Sequence, residues 1–329
     1  MAEVSSIEWT DATWNPVTGC SVVSPGCKKC YAMTLAGTRL REHPSRAGLT
    51  RPSKAGPVWT GEVRLNEEWL TQPLRWRRPR MIFVCAHGDL FHEAVPDEWI
   101  DRIFAVMTMT PQHTYQVLTK RSARMRSYFT FDDGFGRWGH IEHRAKQMFD
   151  IPAGKTLANY GGSNLPNVWL GVSVEDQQRA GERIPDLLAT PATVRFVSAE
   201  PLLGPVDLTR YLSPIGAAGR CISIDGDWWH KPGECGACRP SVDWVIVGGE
   251  SGRGARPMHP DWARSLRDQC VAAQVPFFFK QWGEWCTAKG QPGHLPISHV
   301  FADGYQMIRL GKKAAGALLD GRDWREMPS

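Results

Sequence analysis

The feature that most limits the possible folds is a series of short apolar segments that alternate with helical patterns. The segments with strand length are residues 9–17, 81–86, 114–119, 168–174, 194–199, 244–247 and 276–280. Strands that are apolar almost throughout must be covered on both faces, as in a parallel sheet with right-handed helical crossovers. The alternation therefore predicts an α/β protein.

Between these strands the apolar residues follow the period of a helix. We predict helices at residues 31–41, 97–109, 175–189 and 260–273. Two stretches, 131–165 and 216–240, show no sustained periodicity, and we predict that they are irregular inserts.

Polar side chains recur at the carboxyl ends of the predicted strands. They are Asp89, Lys120, Ser173, Glu175, Ser198, Glu200, Glu250, Lys280 and Gln281. Barrel enzymes build their active sites at these ends, so we predict a partial or complete (β/α) TIM-type barrel with a mainly parallel sheet over residues 1–290, followed by an extension over 291–329. An open doubly wound sheet fits the alternation as well, and any single one of these residues also suits a helix cap.

Composition favours an ordinary globular protein of the cytoplasm. The chain has 329 residues, of which 42% are hydrophobic, and its net charge is a mild +5. No apolar run approaches 18 residues and the first residues do not resemble a secretion signal, so neither a membrane span nor export is expected. The nine cysteines include closely spaced pairs, which favour metal binding in a reducing compartment over disulfides.

Three of these cysteines lie close together after the first predicted strand. Cys20, Cys27 and Cys30 form a C-x6-C-x2-C array with glycine and proline between them. Zinc normally takes a fourth protein ligand, whereas a 4Fe-4S cluster held by three cysteines keeps one iron open for a small molecule. The array therefore predicts a metal site, and iron, zinc with a distant fourth ligand, and reduced core cysteines all remain open.

A second group lies in the later insert. Cys221, His230, Cys235 and Cys238 have the spacing C-x8-H-x4-C-x2-C, which suits structural zinc in a segment with little core of its own. Free cysteines or an auxiliary iron cluster are the alternatives. The other cysteines, Cys85, Cys270 and Cys286, are expected to be small buried side chains.

Clustered arginines suggest a nucleic-acid partner, either DNA or RNA. The candidates for phosphate contacts are Arg75, Arg77, Arg78, Arg80, Arg121, Arg124 and Arg126. Trp76 and Tyr128 lie among them, and the chain has 15 tryptophans, which suits base stacking. Such residues are also typical of a solvated helix face with buried aromatic anchors.

Several motifs resemble those of known proteins. They are TGCSVVSPGCKKCYA, HGDLFHEAVP, VLTKR, GVSVED, FVSAEPLLG, VIVGGESG and FFFKQWG. In these the chain resembles the phage Gp37/Gp68 family (DUF5131) over residues 7–285. The cysteine array, the alternation behind it and Tyr31 directly after the third cysteine also resemble the radical S-adenosylmethionine superfamily, in its spore photoproduct lyase-like branch. That superfamily usually has C-x3-C-x2-C with an aromatic residue where this chain has Lys29.

The superfamily resemblance implies a site and a cofactor. Cys20, Cys27 and Cys30 would hold a 4Fe-4S cluster that binds S-adenosylmethionine, takes an electron from an external donor, and yields a 5'-deoxyadenosyl radical. By this resemblance, Ser173 and Glu175 would contact the cofactor. Gly248, Gly249 and Glu250 are further candidate cofactor contacts because of their position after a late strand, and a tight turn into a helix is the alternative for them. The remaining candidate catalytic residues are Tyr31, Asp89, Lys120, Glu200 and Lys280.

Three functions follow as hypotheses. The first is a radical S-adenosylmethionine enzyme that repairs or modifies a nucleic acid or nucleotide by hydrogen abstraction. The second is a non-enzymatic nucleic-acid-binding protein stabilised by zinc. The third is a metal-dependent hydrolase or nuclease that uses Asp89, Glu175, Glu200 and Glu250, although none of these four lies in an H-x-H or D-x-D pattern.

Overall fold

The computed structural model describes residues 5–152, 157, 165–212, 221–222, 229–230, 240–288 and 298–328. Its main feature is a sheet of seven strands. They are β1 (Ala12–Trp14), β2 (Met81–Val84), β3 (Thr114–Thr119), β4 (Val168–Ser173), β5 (Val194–Ala199), β6 (Trp244–Gly248) and β7 (Phe277–Gln281). The hydrogen-bonded order is the same as the order in sequence, and every pairing with a described register is parallel.

Sequential strand order identifies the topology. In a (β/α) barrel each new strand is added beside the previous one, whereas a doubly wound sheet reverses its order at a switch point. Within the described residues, β1 and β7 are the two ends of the strand order, so the sheet is open. The prediction of an α/β fold with a parallel, partial-barrel sheet is confirmed, and the doubly wound alternative is not adopted.

Eight helices are found among the described residues. They are α1 (Tyr31–Gly37), α2 (Glu67–Leu70), α3 (Asp97–Thr108), α4 (Ser122–Phe129), α5 (Gly136–Met148), α6 (Gln177–Leu188), α7 (Pro260–Ala273) and α8 (Lys312–Ala315). Single 3₁₀ turns occupy Pro25–Cys27, Gln72–Arg75 and Thr209–Tyr211. None of the helices in these ranges is both long and apolar enough to cross a bilayer.

The chain divides into two compact units. The first unit comprises Met1–Ser173 with Thr190–Val194, and the second comprises Val174–Ala189 with Arg195–Ser329. In the core of the first unit the rings of Trp14 and Tyr115 lie 5.7 Å apart. In the second, all five residues of β6 are buried, as expected for a strand covered on both faces.

The insert predicted to be irregular over residues 131–165 contains the helix α5, so that prediction is wrong for this part. Trp138, Ile141 and Ala145 recur at helical spacing, and Ile141 and Ala145 are fully buried. Arg137 is buried too, and its Nη2 donates to Asp97 Oδ2 of α3 at 2.7 Å. The apolar stripe is short and is interrupted by His, Arg and Lys, which is why its period was missed.

Of the second insert, the structure describes one antiparallel ladder between Cys221–Ile222 and Trp229–His230. Cys235 and Cys238 lie outside the described residues, as do the side chains of Cys221 and His230, so the predicted zinc site falls there as well. In the first unit, short ladders pair Val17–Thr18 with Arg64–Leu65 and Thr50–Arg51 with Val58–Trp59.

The described part of the carboxyl-terminal region belongs to the second unit. It contains a three-stranded antiparallel sheet and one two-stranded ladder, formed by Trp285–Thr287, Gln306–Arg309, His299–Val300, Leu318–Leu319 and Arg322–Asp323. Residues 324–326 run beside β7, where Phe279 N donates to Trp324 O at 2.7 Å and Glu326 N donates to Phe277 O at 3.2 Å. This segment covers backbone groups that a bare edge strand would leave unpaired.

Two glycines of the second unit provide a matched test of packing. A Cβ at Gly249 would lie 2.1 Å from the carbonyl oxygen of Trp282, so we expect Gly249→Ala to lower the free energy of unfolding by about 1–3 kcal/mol. A Cβ at Gly181, in α6, would meet no atom within 4 Å, so Gly181→Ala should raise it by about 0.5–1 kcal/mol. Chemical denaturation measures both changes, and effects of the same sign would contradict this account.

Candidate functional site

The cysteine loop, defined here as residues 19–31, follows β1 and begins with a close approach of two backbones. Gly19 has a φ of +95°, and its N–H donates to His87 O at 3.3 Å. A Cβ at this position would lie 2.2 Å from Glu62 O, so only glycine fits. The start of the loop is therefore anchored beside the segment that follows β2.

The loop holds the three cysteines as free thiols at partly exposed positions. Cys27 ends the 3₁₀ turn, and Cys30 directly precedes α1. Cys20 and Cys30 pack against the same apolar cluster, which includes Met33 and Leu49. Cys27 and Cys30 each raise the pKa of Cys20, so the three groups are close enough to interact electrostatically.

Burial makes two of these thiols hard to ionise. It raises the pKa of Cys20 to about 12, with a further rise from the Asp89 carboxylate and an opposing effect from Arg121. Burial also raises the pKa of Cys30, against the lowering effects of the Met33 amide and of Lys120. In this structure both are neutral thiols at pH 7, and a metal that bound them would displace protons.

The side chains of the three cysteines do not form a ready metal site. Within the described ranges, no group of three or more His, Cys, Asp or Glu side chains is arranged to hold a metal ion. Metal binding by Cys20, Cys27 and Cys30 stays a prediction.

Arg121 connects the cysteine loop to the ends of β2 and β3. Its Nη1 donates to Asp89 Oδ2 at 3.0 Å and to Cys20 Sγ at 3.5 Å, Nη2 donates to Ser21 Oγ at 2.7 Å, and Nε donates to Glu93 Oε2 at 2.9 Å. Burial lowers the pKa of Arg121, but Asp89, Cys20 and Glu93 raise it by more, so it stays charged. We call this set of contacts the Arg121 hub.

Asp89 is the buried anion of the hub. Besides Arg121, its carboxylate accepts hydrogen bonds from Phe91 N at 3.0 Å, Thr119 Oγ1 at 2.7 Å and Lys120 N at 3.2 Å. A carboxylate offers about four acceptor sites, so little capacity remains for a metal or a substrate. Its position joins the two strand ends, and its contacts are those of a structural group.

The arginines predicted to bind nucleic acid lie in two places in the first unit. Arg75, Arg77 and Arg78 are exposed and Arg80 stacks over Trp76 at 4.9 Å, all before β2 and hence at the amino end of the sheet. In the other group, which follows β3, Arg121 is buried in the hub, Arg124 forms an ion pair with Asp97, and Arg126 is exposed.

The two aromatic rings expected to stack on bases are core residues. Trp76 is 5% exposed and Tyr128 is 1% exposed. The Tyr128 hydroxyl donates to Asp101 Oδ1 at 2.6 Å, and Arg137 lies 4.2 Å from the ring centroid. Neither ring is on the surface, where a base could reach it.

In the second unit the ends of β5, β6 and β7 form a cluster. Lys280 Nζ lies 2.9 and 3.0 Å from the two carboxylate oxygens of Glu200. The Glu200 side chain passes over Gly248, where a Cβ would lie 3.1 Å from its Cδ. Gln281 Nε2 donates to Gly249 O at 3.2 Å. A Cβ at position 248 would thus require the Glu200 side chain to shift by a few tenths of an ångström.

The other predicted carboxylates of the second unit are paired as well. Arg256 Nε donates to Glu250 Oε2 at 2.8 Å, and Arg183 Nη1 donates to Glu175 Oε2 at 2.9 Å. All the candidate cofactor contacts are buried, namely Ser173, Glu175, Gly248, Gly249 and Glu250. Each carboxylate assigned to catalysis therefore has a cationic partner within its own unit.

Several residues of these clusters were missed from the sequence. They are Ser21, Glu93, Thr119, Arg183 and Arg256. Arg183 follows Glu175 by eight residues and Arg256 follows Glu250 by six, so a nearby cation was a usable signal for these two. The contacts of Ser21, Glu93 and Thr119 with the hub depend on tertiary structure, and no local pattern indicates them.

The fold and the site define an α/β protein whose sequentially ordered parallel sheet carries a three-cysteine loop after its first strand. A family model described as "Protein of unknown function (DUF5131)" matches residues 4–328, and the chain belongs to this family. No curated protein and no solved structure is significantly similar to the chain. These comparisons give no support to the radical S-adenosylmethionine resemblance, which remains a prediction.

Removing the charge of Arg121 tests the hub. We expect Arg121→Met to lower the free energy of unfolding by about 3–5 kcal/mol, because Asp89 is left buried without a counter-ion. The control is Arg102→Met, whose partner Glu67 has a side chain that is 61% exposed, and here we expect a loss below about 1 kcal/mol. Urea denaturation measures both, and equal losses would show that the hub is not a buried ion pair.

His87 predicts a pH dependence of stability. Burial, helped by the Arg46 guanidinium 2.9 Å away, lowers the pKa of His87 from 6.5 to about 4. Between these values the unfolded chain binds more protons, so the free energy of unfolding decreases as the pH falls from 6.5 to 4. In His87→Gln this loss should be smaller by roughly 1–3 kcal/mol. Denaturation at several pH values tests this, with the exposed His143→Gln as a control that keeps the wild-type slope.

Proposed function

We propose that the protein is an iron-sulfur enzyme of the radical S-adenosylmethionine type that repairs or modifies a nucleic acid or nucleotide. The observation that carries the proposal is the position of the three free thiols. They lie together in the cysteine loop, which follows the first strand of a parallel, barrel-type sheet and the short ladder strand Val17–Thr18. The carboxyl ends of such strands are where (β/α) barrels place their chemistry.

The donor set fits a 4Fe-4S cluster with one open iron. Three cysteines supply the thiolates, and cations lie beside two of them, Arg121 next to Cys20 and Lys120 near Cys30. The sulfurs do not form a ready site as they stand, so binding requires side-chain movement within the loop. When bound, such a cluster supplies the electron that cleaves S-adenosylmethionine.

The surrounding residues orient the loop. The Arg121 hub fixes Cys20 and Ser21 relative to β2 and β3. The Tyr31 hydroxyl donates to Ala86 O at 2.6 Å, which holds the first residue of α1 against the segment after β2.

The hydrolase hypothesis is less well supported. It requires Asp89, Glu175, Glu200 and Glu250 to bind a divalent metal. Each of these carboxylates instead contacts a cation, respectively Arg121, Arg183, Lys280 and Arg256. Carboxylates neutralised in this way are poor ligands unless the ion pair first breaks.

Structural zinc in the later insert remains part of the proposal. Its basis is the spacing of Cys221, His230, Cys235 and Cys238. The described ladder has a register that pairs Cys221 with His230 directly.

Metal analysis tests the proposal. We expect protein purified without oxygen to contain about four irons and four sulfides per chain, with the broad visible absorption of a cluster, and to cleave S-adenosylmethionine when reduced. Cys20→Ala should lose the iron, whereas Cys286→Ala, which alters a buried cysteine outside the loop, should keep it. Zinc should survive both changes and be lost on replacement of Cys235 and Cys238.

Two results would overturn the assignment. One is zinc without recoverable iron in the cysteine loop, which would favour the non-enzymatic zinc-stabilised protein. The other is full iron content in Cys20→Ala, which would exclude Cys20 as a ligand.

A further inference from the structure

The cysteine loop carries an exposed surface that the hub and the proposed cluster do not use. Val22 is 44% exposed, Val23 41% and Tyr31 50%, which makes three of the nine large apolar side chains that the described residues expose. Lys28 and Lys29 are exposed in the same loop. We call Val22, Val23, Lys28, Lys29 and Tyr31 the loop surface.

The sequence leaves this region positively charged. Residues 12–61 contain seven Lys or Arg but a single acid, Glu42, which is paired with Arg41 at 2.8 Å. Among the described residues, no carboxylate lies within ion-pair distance of Lys28 or Lys29. By contrast, many surface arginines elsewhere are neutralised, as Arg264 is by Asp320. An anionic partner would meet unpaired cations here.

The ring of Tyr31 is held in place with about half of its surface exposed. Its hydroxyl donates to Ala86 O at 2.6 Å, and its ring forms a T-shaped pair with the His87 ring, with the two ring centroids 6.0 Å apart. Because the ring is already fixed, little conformational entropy is lost when a flat ligand packs against it. This is a feature of a stacking platform.

We propose that the loop surface binds a single-stranded nucleic acid, with a base stacked on Tyr31 and neighbouring phosphates at Lys28 and Lys29. The inference rests on the proposed function and names the form of its substrate. Aromatic platforms beside unpaired cations are how proteins bind single strands without reading sequence. In a duplex the base faces are already stacked and unreachable.

The position of the loop surface favours it over the arginines before β2. Lys28, Lys29 and Tyr31 adjoin Cys27 and Cys30 in the chain, and Tyr31 contacts the segment that follows the carboxyl end of β2. Arg75, Arg77 and Arg78 lie before the amino end of that strand. A strand bound to the loop surface is therefore beside the proposed reaction centre, whereas one bound to these arginines is at the opposite end of the sheet.

The test is binding of labelled 12-nucleotide DNA and RNA strands, and of the matching duplexes, to the full chain by fluorescence anisotropy over a range of salt. We expect single strands to bind more tightly than duplexes. Lys28→Gln with Lys29→Gln should weaken binding at least tenfold at low salt and reduce the slope of log K against log salt by about 1.4. The matched control is Lys312→Gln with Lys313→Gln, an exposed lysine pair in the second unit, which should change neither quantity.

Tyr31 variants separate stacking from charge. Tyr31→Ala and Tyr31→Leu should weaken single-strand binding by roughly 5- to 150-fold, whereas Tyr31→Phe, which keeps the ring and loses only the hydroxyl's bond to Ala86 O, should weaken it by less than either. If Tyr31→Ala and Tyr31→Leu weaken single-strand binding to the same extent, a folding defect is not the cause, because leucine preserves most of the side-chain volume. Their thermal unfolding is measured alongside.

The outcomes distinguish this inference from the function on which it rests. If wild type binds single strands but the lysine and tyrosine variants bind equally well, the loop surface is not the site and the proposed function stands. If wild type binds no nucleic acid at low salt, the nucleic-acid function itself fails. If heparin competes as well as unlabelled strand and Tyr31→Ala has no effect, the surface binds polyanions by charge alone, and the inference is overturned.

Discussion

The buried ion pair between Arg121 and Asp89 is the contact on which the candidate site of the first unit depends. It connects the ends of β2 and β3, and through Ser21 and Cys20 it fixes the cysteine loop after β1. Neither charge is tolerable in this environment without the other. Arg121 and Cys20 are separated by 101 residues, and they meet because β1, β2 and β3 are neighbours in sequential order. Topology, and not a local motif, places a cation at the cysteine.

The second unit uses the same device with different residues. Glu200 reaches Lys280 across Gly248, and the carboxylates of Glu175 and Glu250 are bound by arginines. A polar residue at the carboxyl end of a parallel strand therefore has two possible fates in this fold. Some of these residues form internal ion pairs that hold neighbouring loops together. Only residues that can still form further hydrogen bonds or ion pairs can bind a ligand. The Glu200–Lys280 pair is closest to the second kind, because both side chains keep partial exposure.

The sequence predicts the fold well where apolar periodicity is strong. The bounds of β3, β5 and α7 agree with the prediction residue for residue, because each is a mainly apolar run or a regular amphipathic stripe between clear breaks. Helix α5 was missed because its stripe rests on few apolar residues.

The candidate site, like the fold, could be predicted from the sequence only in part. The cysteine array is visible in the sequence, whereas nothing local shows that Arg121, one cation among several after β3, enters the core while Arg126 stays exposed. That choice depends on where Asp89 lies in three dimensions.

The cysteine loop has an anchored side and an exposed side. The contacts of the anchored side keep the other side exposed. Val22 and Val23 would gain free energy by turning inward, by roughly 1–2 kcal/mol for each side chain fully buried. They are prevented from doing so because the residues that flank them are fixed, Ser21 by the Arg121 guanidinium and Ser24 by its buried position and its backbone bond to Cys27. The apolar and cationic groups of the loop surface thus lie on the exposed side of the loop. The proposed binding of a polyanion to this surface and the proposed binding of a metal by the three thiols can therefore be measured separately.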